Sequence, residues 1–178
     1  MSRYFHVDRL SRLQQGQTIN LARLIDVTPN AAQEHLDVLF ADGVSLHGQF
    51  YLFRKDDPQH VARKHYEIIF EYVRRAYFQE RPSRFSSFFG MDTLVAAQGF
   101  FAKHGVDALG DPMPYTIWEI ECANPVFKAD MRLISEPLPA MLGVSMQAHQ
   151  YWSGVSPNDE PVWEVLMPLP ITVVRQVE

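Results

Sequence analysis

The chain has 178 residues, 47% of them hydrophobic and 21% charged, which bounds it as one globular domain spanning 1–178. Its formal net charge of -5 argues against a general nucleic-acid coat, and its single cysteine, Cys122, excludes an internal disulfide framework. The Cys and His spacing offers no zinc site, no stretch is long enough to span a membrane, and Arg3, His6, Asp8 and Arg9 interrupt any N-terminal signal-like run, so the sequence points to a reducing cytoplasm, its own or a host's reached without a signal peptide.

The opening RYFHV reads as a strand, with Tyr4 and His6 on one face and Phe5 and Val7 on the other. Leu10 and Leu13 then predict one or two helical turns, stopped at Gly16. Thr28 before Pro29 reads as a helix start, the threonine capping free amides and the helix running to Gly43. From Gln59 to Glu80 the positions Val61, Ile68, Ile69, Tyr72, Val73, Ala76 and Tyr77 recur at helical spacing and predict the longest helix. Phe85 to Phe89 reads as a strand, Gly90 as a turn, and Asp92 as the cap of a helix ending at Gly105. After a loop with Gly and Pro come strands at YTIWEIEC and VFKADMRLI, then SEPLPAMLGVSMQAHQYWSG, hard to classify but with Pro137 and Pro139 able to open a helix and Gly154 able to close it, and last strands at VWEVLM and ITVVRQV. Without regular βαβ alternation, the order indicates an α+β fold.

Charge is uneven along this order. Arg54 to Arg84 holds eight Lys and Arg against five acids, whereas Phe85 onward holds four against eleven. A basic middle favours RNA if its arginines share a face, although a solvated helix face accounts for it as well.

Three places invite a chemical reading. Glu164 sits inside the apolar EPVWEVLMPLPITVV; alternation puts it with Val162 and Leu166, opposite Trp163, Val165 and Met167, so it either points into a cleft or faces solvent on a half-exposed strand. His6 lies among aromatics, as a packing residue or a ligand contact, and the adjacent Ser86 and Ser87 offer hydroxyls to a ligand or to the local backbone. HYE, from His65 to Glu67, reads as helix surface, and Cys122, mid-strand, lacks the setting of a nucleophile.

Taken in order, YFHVDRLSRLQQGQTINL, RPSRFSSFFGMDTLVAAQGFFAKHG and EPVWEVLMPLPITVV resemble the three motifs of the ADP-ribosyltransferase superfamily, and small bacterial and phage-associated members most of all. The resemblance spans nearly the whole chain. It implies a split antiparallel β-sheet core around an NAD cleft with flanking helices. NAD would be the substrate, and Glu164 the catalytic residue, accepting a hydrogen bond from the ribose 2-hydroxyl and stabilising an oxocarbenium-like transition state. His6 would bind a ribose or the backbone around the nicotinamide pocket, Val7 would belong to the same cofactor-binding set, and Asp8 and Arg9 would lie near the phosphates or adenosine. Ser86 and Ser87 would stand at the nicotinamide ribose, and Phe88 or Phe89 would stack on the nicotinamide ring.

Arginine-modifying members carry Glu or Gln two residues before the catalytic glutamate, where this chain has Val162, so the resemblance implies a protein acceptor other than arginine. Asp159 and Glu160 could orient such an acceptor, and ubiquitin, modified on threonine by one group of bacterial effectors of this superfamily, is a candidate. Arg3 beside His6 leaves the histidine-type and arginine-type branches both open. A toxin or effector is implied. The alternatives are an NAD glycohydrolase, an RNA-end phosphotransferase, and a non-catalytic interaction module binding through Trp118, Trp152 and Trp163.

Overall fold

A computed structural model describes residues 2–9, 11–53, 58–104 and 114–178, with 58–64, 103 and 104 described by backbone alone. Its elements are β1 (Ser2–Asp8), β2 (Thr18–Ile19), α1 (Asn30–Leu39), α2 (Leu46–Phe53), α3 (Pro58–Tyr77), a 3₁₀ turn (Arg84–Ser86), β3 (Ser87–Gly90), α4 (Leu94–His104), β4 (Thr116–Cys122), β5 (Phe127–Asp130), α5 (Arg132–Ser135), α6 (Met141–Ser153), β6 (Trp163–Pro168) and β7 (Ile171–Gln176). The fold is α+β and every strand pair among the described residues is antiparallel. One sheet runs β1-β4-β7-β2 and the other β3-β6-β5.

The two sheets touch at their edges through one isolated bridge. Phe5 N–H donates to Met91 C=O at 2.9 Å and Met91 N–H to Phe5 C=O at 2.7 Å. Gly90 permits the junction, since a Cβ there would stand 2.9 Å from the Phe5 carbonyl oxygen. One step further along, no backbone bridge joins Val7 to Phe89 among the described residues, so the edges part there. Ile117, opposite Val7 in β4, exchanges its backbone bonds with Val177 and Glu178. Antiparallel alternation therefore turns the Val7 N–H and C=O away from β4, toward the parted edges.

Between the sheets lie Trp118, Ile120, Val165, Met167, Ile171 and Val173. On the outer face of β3-β6-β5, helices α3, α5 and α6 supply Phe70, Leu133, Ile134, Val144, Ala148, Tyr151 and Trp152, which close over Leu166. Each such large side chain contributes about 1.5–3 kcal/mol on burial. β6 is covered on both faces, and Glu164 to Met167 are all buried, which explains a run apolar on both parities. Its alternation divides as the sequence implies, Leu166 toward the helices and Val165 and Met167 toward the other sheet.

Several boundaries differ from the sequence reading. Arg12 N–H and Leu13 N–H both donate to the Asp8 carboxylate, so no helix forms at 11–14, and Leu10 lies outside the described residues. α1 has Pro29 at its cap with no side-chain bond from Thr28, and it ends at Leu39, four residues before Gly43. α2 occupies a segment to which periodicity assigns no element. α3 ends at Tyr77. Ser83 Oγ accepts from Phe85 N–H and opens the 3₁₀ turn, which delays β3 to Ser87. Thr93, rather than Asp92, caps α4 by accepting from Ala96 N–H, while Asp92 pairs with Lys128; Gly105 lies outside the described residues. The Asp130 carboxylate accepts from Arg132 N–H and turns the chain from β5 into α5, so VFKADMRLI is only half strand.

Candidate functional site

Arg84 is the hub of a buried cluster drawn from four elements. Its Nε and Nη2 donate to the two oxygens of Glu67 on α3 at 2.8 and 3.0 Å, and its Nη1 donates to Glu164 Oε1 on β6 at 2.5 Å. The same Nη1 donates to the Tyr151 hydroxyl on α6, and that hydroxyl donates its proton to Glu164 Oε1 at 2.8 Å. Arg84, Glu67 and Glu164 each keep no more than 6% of their side-chain surface. The guanidinium plane also lies over the Phe89 ring, its carbon 4.8 Å from the centroid.

Electrostatics follow from this packing. Burial pushes the Glu67 carboxyl up, but the Arg84 guanidinium, aided by His47, outweighs it and brings the pKa down to about 2. Burial works against the charged form of Arg84 too; Glu164 and Glu67 overcome it and hold the guanidinium well above its usual range. Burial, reinforced by Glu164 and opposed by Arg84, raises the Tyr151 phenol well above its usual value, so it stays a proton donor. Glu67 and Glu164 thus share the one guanidinium of Arg84, with the His47 Nε2 3.3 Å from Glu67.

Glu164 Oε1 takes both bonds of that carboxylate. Oε2 has no hydrogen bond among the described residues and is not one of the fully buried unpartnered atoms, so the remaining exposure of the side chain includes this oxygen. The alternative of a solvent-facing glutamate on a half-exposed strand does not hold, because the residue is 5% exposed and held by a counter-ion.

His6 reaches the parted edges from β1. Its Nδ1 lies 2.7 Å from the Phe89 carbonyl oxygen, which can only accept, so Nδ1 carries the proton and a neutral ring keeps the Nε2 lone pair free to accept. The ring packs on Phe88 at 4.4 Å between centroids. Burial lowers its pKa, with the Phe89 bond and Asp8 opposing, which keeps the imidazole neutral at pH 7.

His6, Phe89, Arg84 and Glu164 thus form a continuous chain of contacts. Phe88 joins it through its ring contact with His6, whereas the hydroxyls of Ser86 and Ser87 turn elsewhere. Ser87 Oγ donates to Ser83 C=O at 2.7 Å, and Ser86 Oγ faces the same oxygen at 3.5 Å. Ser87 pairs opposite Pro168, four residues along β6 from Glu164, or roughly 13 Å at about 3.3 Å per residue. Asp8 binds two backbone amides of its own turn, the Val7 side chain packs toward α4, and Arg9 is exposed.

Three members of the cluster escaped the sequence reading. Glu67, read as surface in HYE, is 4% exposed; Arg84 was part of a basic stretch; Tyr151 lay in a segment hard to classify. The usable signal was physical: a carboxylate fixed in an apolar strand requires a cation, and Arg84 immediately precedes the strand that pairs with β6. Three arginines of the basic stretch turn inward, Arg74 and Arg75 binding Glu71 and Arg84 binding Glu67, so these three do not form an open face for RNA. Trp118 and Trp152 are buried and Trp163 is half-buried beneath Lys128, which removes the tryptophan docking surface.

A family model described as "Protein of unknown function (DUF2441)" matches residues 4–178. The chain belongs to the DUF2441 family. The match covers β1 from Tyr4 onward and all of the 3₁₀ turn and β6, so His6, Arg84 and Glu164 lie within the family's extent. No curated protein matches this DUF2441 member.

Proposed function

We propose that the chain is an ADP-ribosyltransferase that takes NAD as substrate and transfers ADP-ribose to a protein side chain other than arginine. The observation that carries this reading is the presentation of Glu164: one oxygen is locked by Arg84 and Tyr151, and the other has no hydrogen bond among the described residues. A carboxylate fixed in that way, in surroundings of low dielectric, favours a positive charge that develops on a ribose more than it favours the neutral sugar. In the reaction the bond from ribose C1 to the nicotinamide nitrogen breaks, its electron pair leaves with nicotinamide, and C1 bonds to an acceptor oxygen that loses its proton.

The parted sheet edges support the same reading. The Val7 N–H and C=O offer one donor and one acceptor side by side, the complement of a carboxamide, and the His6 Nε2 lone pair suits a sugar hydroxyl. Val162, two residues before Glu164, has an apolar side chain, and its C=O already accepts from Met131 N–H at 2.8 Å, so it offers a guanidinium no side-chain acceptor.

A test is incubation with labelled NAD and cell lysate, beside Glu164→Gln with its melting temperature checked. Label transfer or NAD cleavage by the wild type, reduced roughly 10²–10³-fold in the variant, is the expected result. Equal rates from both proteins, or no NAD binding at millimolar concentration, would sink the reading.

A second reading is a non-catalytic module in which the cluster braces the fold. It is favoured by the hydroxyls of Ser86 and Ser87, both turned to Ser83, and by an Arg84 with every nitrogen engaged. Under it, Glu164→Gln shifts stability without changing any NAD-dependent signal.

A further inference from the structure

α6 is a surface helix without formal charge. Between Glu136 and Asp159 the chain has no Asp, Glu, Lys or Arg, where average composition would place about five. The inner side of the helix buries Val144, Ala148, Tyr151 and Trp152 against the core. A helix that buries one side ordinarily turns charged residues outward. Here Leu142 and Met146 stand there at i and i+4, with His149 at i+7, and Leu142 is 83% exposed, Met141 76% and Met146 48%.

Neighbouring residues widen this stripe. The His149 ring packs on Tyr77 at the end of α3, 4.7 Å between centroids, and Tyr77 is itself 68% exposed. On the other side Leu138 lies against Gly143, where an added Cβ would stand 2.7 Å from the Leu138 Cβ. At about 200 Å² for a fully exposed large side chain, Leu138, Met141, Leu142, Met146 and Tyr77 present roughly 600 Å² of mainly apolar surface. That is the top of the range of about 300–600 Å² for the largest patch on a monomer, and it approaches the ~800 Å² that each partner brings to a standard interface.

Charge selects the occupant. Each chain carries a net -5, so two copies approach most easily through a face that carries none. The same absence of Lys and Arg leaves the helix nothing to hold an anionic lipid surface. Paired antiparallel, two copies of the 13-residue α6 set each positive N-terminal end beside a negative C-terminal one, across about 20 Å. A twofold axis through Met146 then sets that side chain against its own copy, with Leu142 beside the far end of the opposite helix.

We propose that the outer face of α6 docks a second copy of this chain as a twofold, antiparallel helix pair. The contact stands whether or not the chain acts on NAD, because Tyr151 and its bond to Glu164 lie on the inner side of the helix.

Sedimentation of the full chain across about 1–100 μM tests the pairing, with melting temperatures confirming that each variant is folded. The wild type forms a species of twice the 20.5 kDa chain mass. Leu142→Glu weakens association about 100-fold, since the charge enters the interface from both copies, whereas Val38→Glu, 79% exposed on α1, leaves it unchanged. Should Leu142→Glu unfold, Met141→Glu takes its place, because a carboxylate in the first turn suits the helix and still meets the second copy. Met146→Glu and Met146→Lys are each monomeric alone and recover the dimer when mixed, which a role confined to folding would not produce. A monomeric wild type throughout the range overturns the proposal, and its flotation with phosphatidylcholine vesicles would assign the face to a lipid surface instead. A dimer insensitive to Leu142→Glu, or a mixture of the Met146 variants that stays monomeric, overturns it equally.

Discussion

Arg84 and Glu164 stand 80 residues apart in sequence and meet at 2.5 Å, with neither side chain more than 6% exposed. Each accounts for the other. β6 is covered by helices on the Glu164 face and by a sheet on the opposite one, so its carboxylate is tolerated only because the turn before β3 delivers a guanidinium. The guanidinium is in turn held in one orientation by Glu67, which leaves a single nitrogen for Glu164 and Tyr151.

Arg84→Met should therefore be severe. It leaves two buried carboxylates uncompensated, and an expected loss of about 3–5 kcal/mol will appear as a lower urea midpoint at unchanged slope. Arg84→Lys should recover only part of this, since an ammonium cannot span both Glu67 oxygens while reaching Glu164. Full recovery by lysine would show that the forked geometry contributes nothing.

The Glu67 pKa of about 2 makes stability depend on acid. A carboxyl whose folded pKa is depressed adds stability above its ordinary value of 4.5, and loses it as pH falls through the folded value. At about 1.4 kcal/mol per pH unit, the interval from 4.5 to about 2 corresponds to about 3 kcal/mol. Denaturant melts of the wild type should weaken steeply across that window, and Glu67→Gln should flatten the slope there. An unchanged slope in the variant would assign the acid sensitivity to other carboxylates.

Much of the scaffold was legible because it rests on local pattern: the β1 alternation around Phe5 and Val7, the stripe of α3, and the glycine that closes α6 at Gly154 with φ +77°. The β6 run was legible as a strand but not as a strand covered on both sides. What escaped was set by partners distant in sequence. Nothing within HYE distinguishes a surface glutamate from one that faces Arg84 across 17 residues, and the hydroxyls of Ser86 and Ser87 read as free until Ser83 is seen to cap the 3₁₀ turn. α2 was invisible for a related reason, since its apolar residues pack on a small satellite core of Phe40, Val44 and Phe85 and show no single buried stripe.

His6 gives a second pH signature. Burial lowers its pKa below the usual 6.5, so the neutral ring is favoured on folding, and that contribution is present above 6.5 and lost as pH falls through the folded value. Nitrogen-15 NMR should find the proton on Nδ1 at pH 7, with the titration displaced to lower pH than in an unfolded peptide. His6→Asn, which retains a donor toward Phe89, should preserve more stability than His6→Ala. A ring protonated on both nitrogens at pH 7 would contradict the assignment.

Gly90 offers a test of the junction itself. A methyl group there would stand 2.9 Å from both the Phe5 carbonyl oxygen and the Met167 terminal carbon. The methionine end can bend away; the carbonyl cannot, because it accepts from Met91 N–H in the bridge that joins the two sheets. Gly90→Ala should cost about 1–3 kcal/mol, as overpacking typically does, and should speed amide exchange at Phe5 and Met91 beyond the change in global stability. Gly99→Ala is the control: it sits in α4 with nothing within 4 Å of the added carbon, and alanine there should stabilise by up to about 1 kcal/mol through helix propensity. If the two substitutions behaved alike, the sheets would not be held together at Phe5 and Met91, and the parted edges beyond that point would lose their defining fixed end.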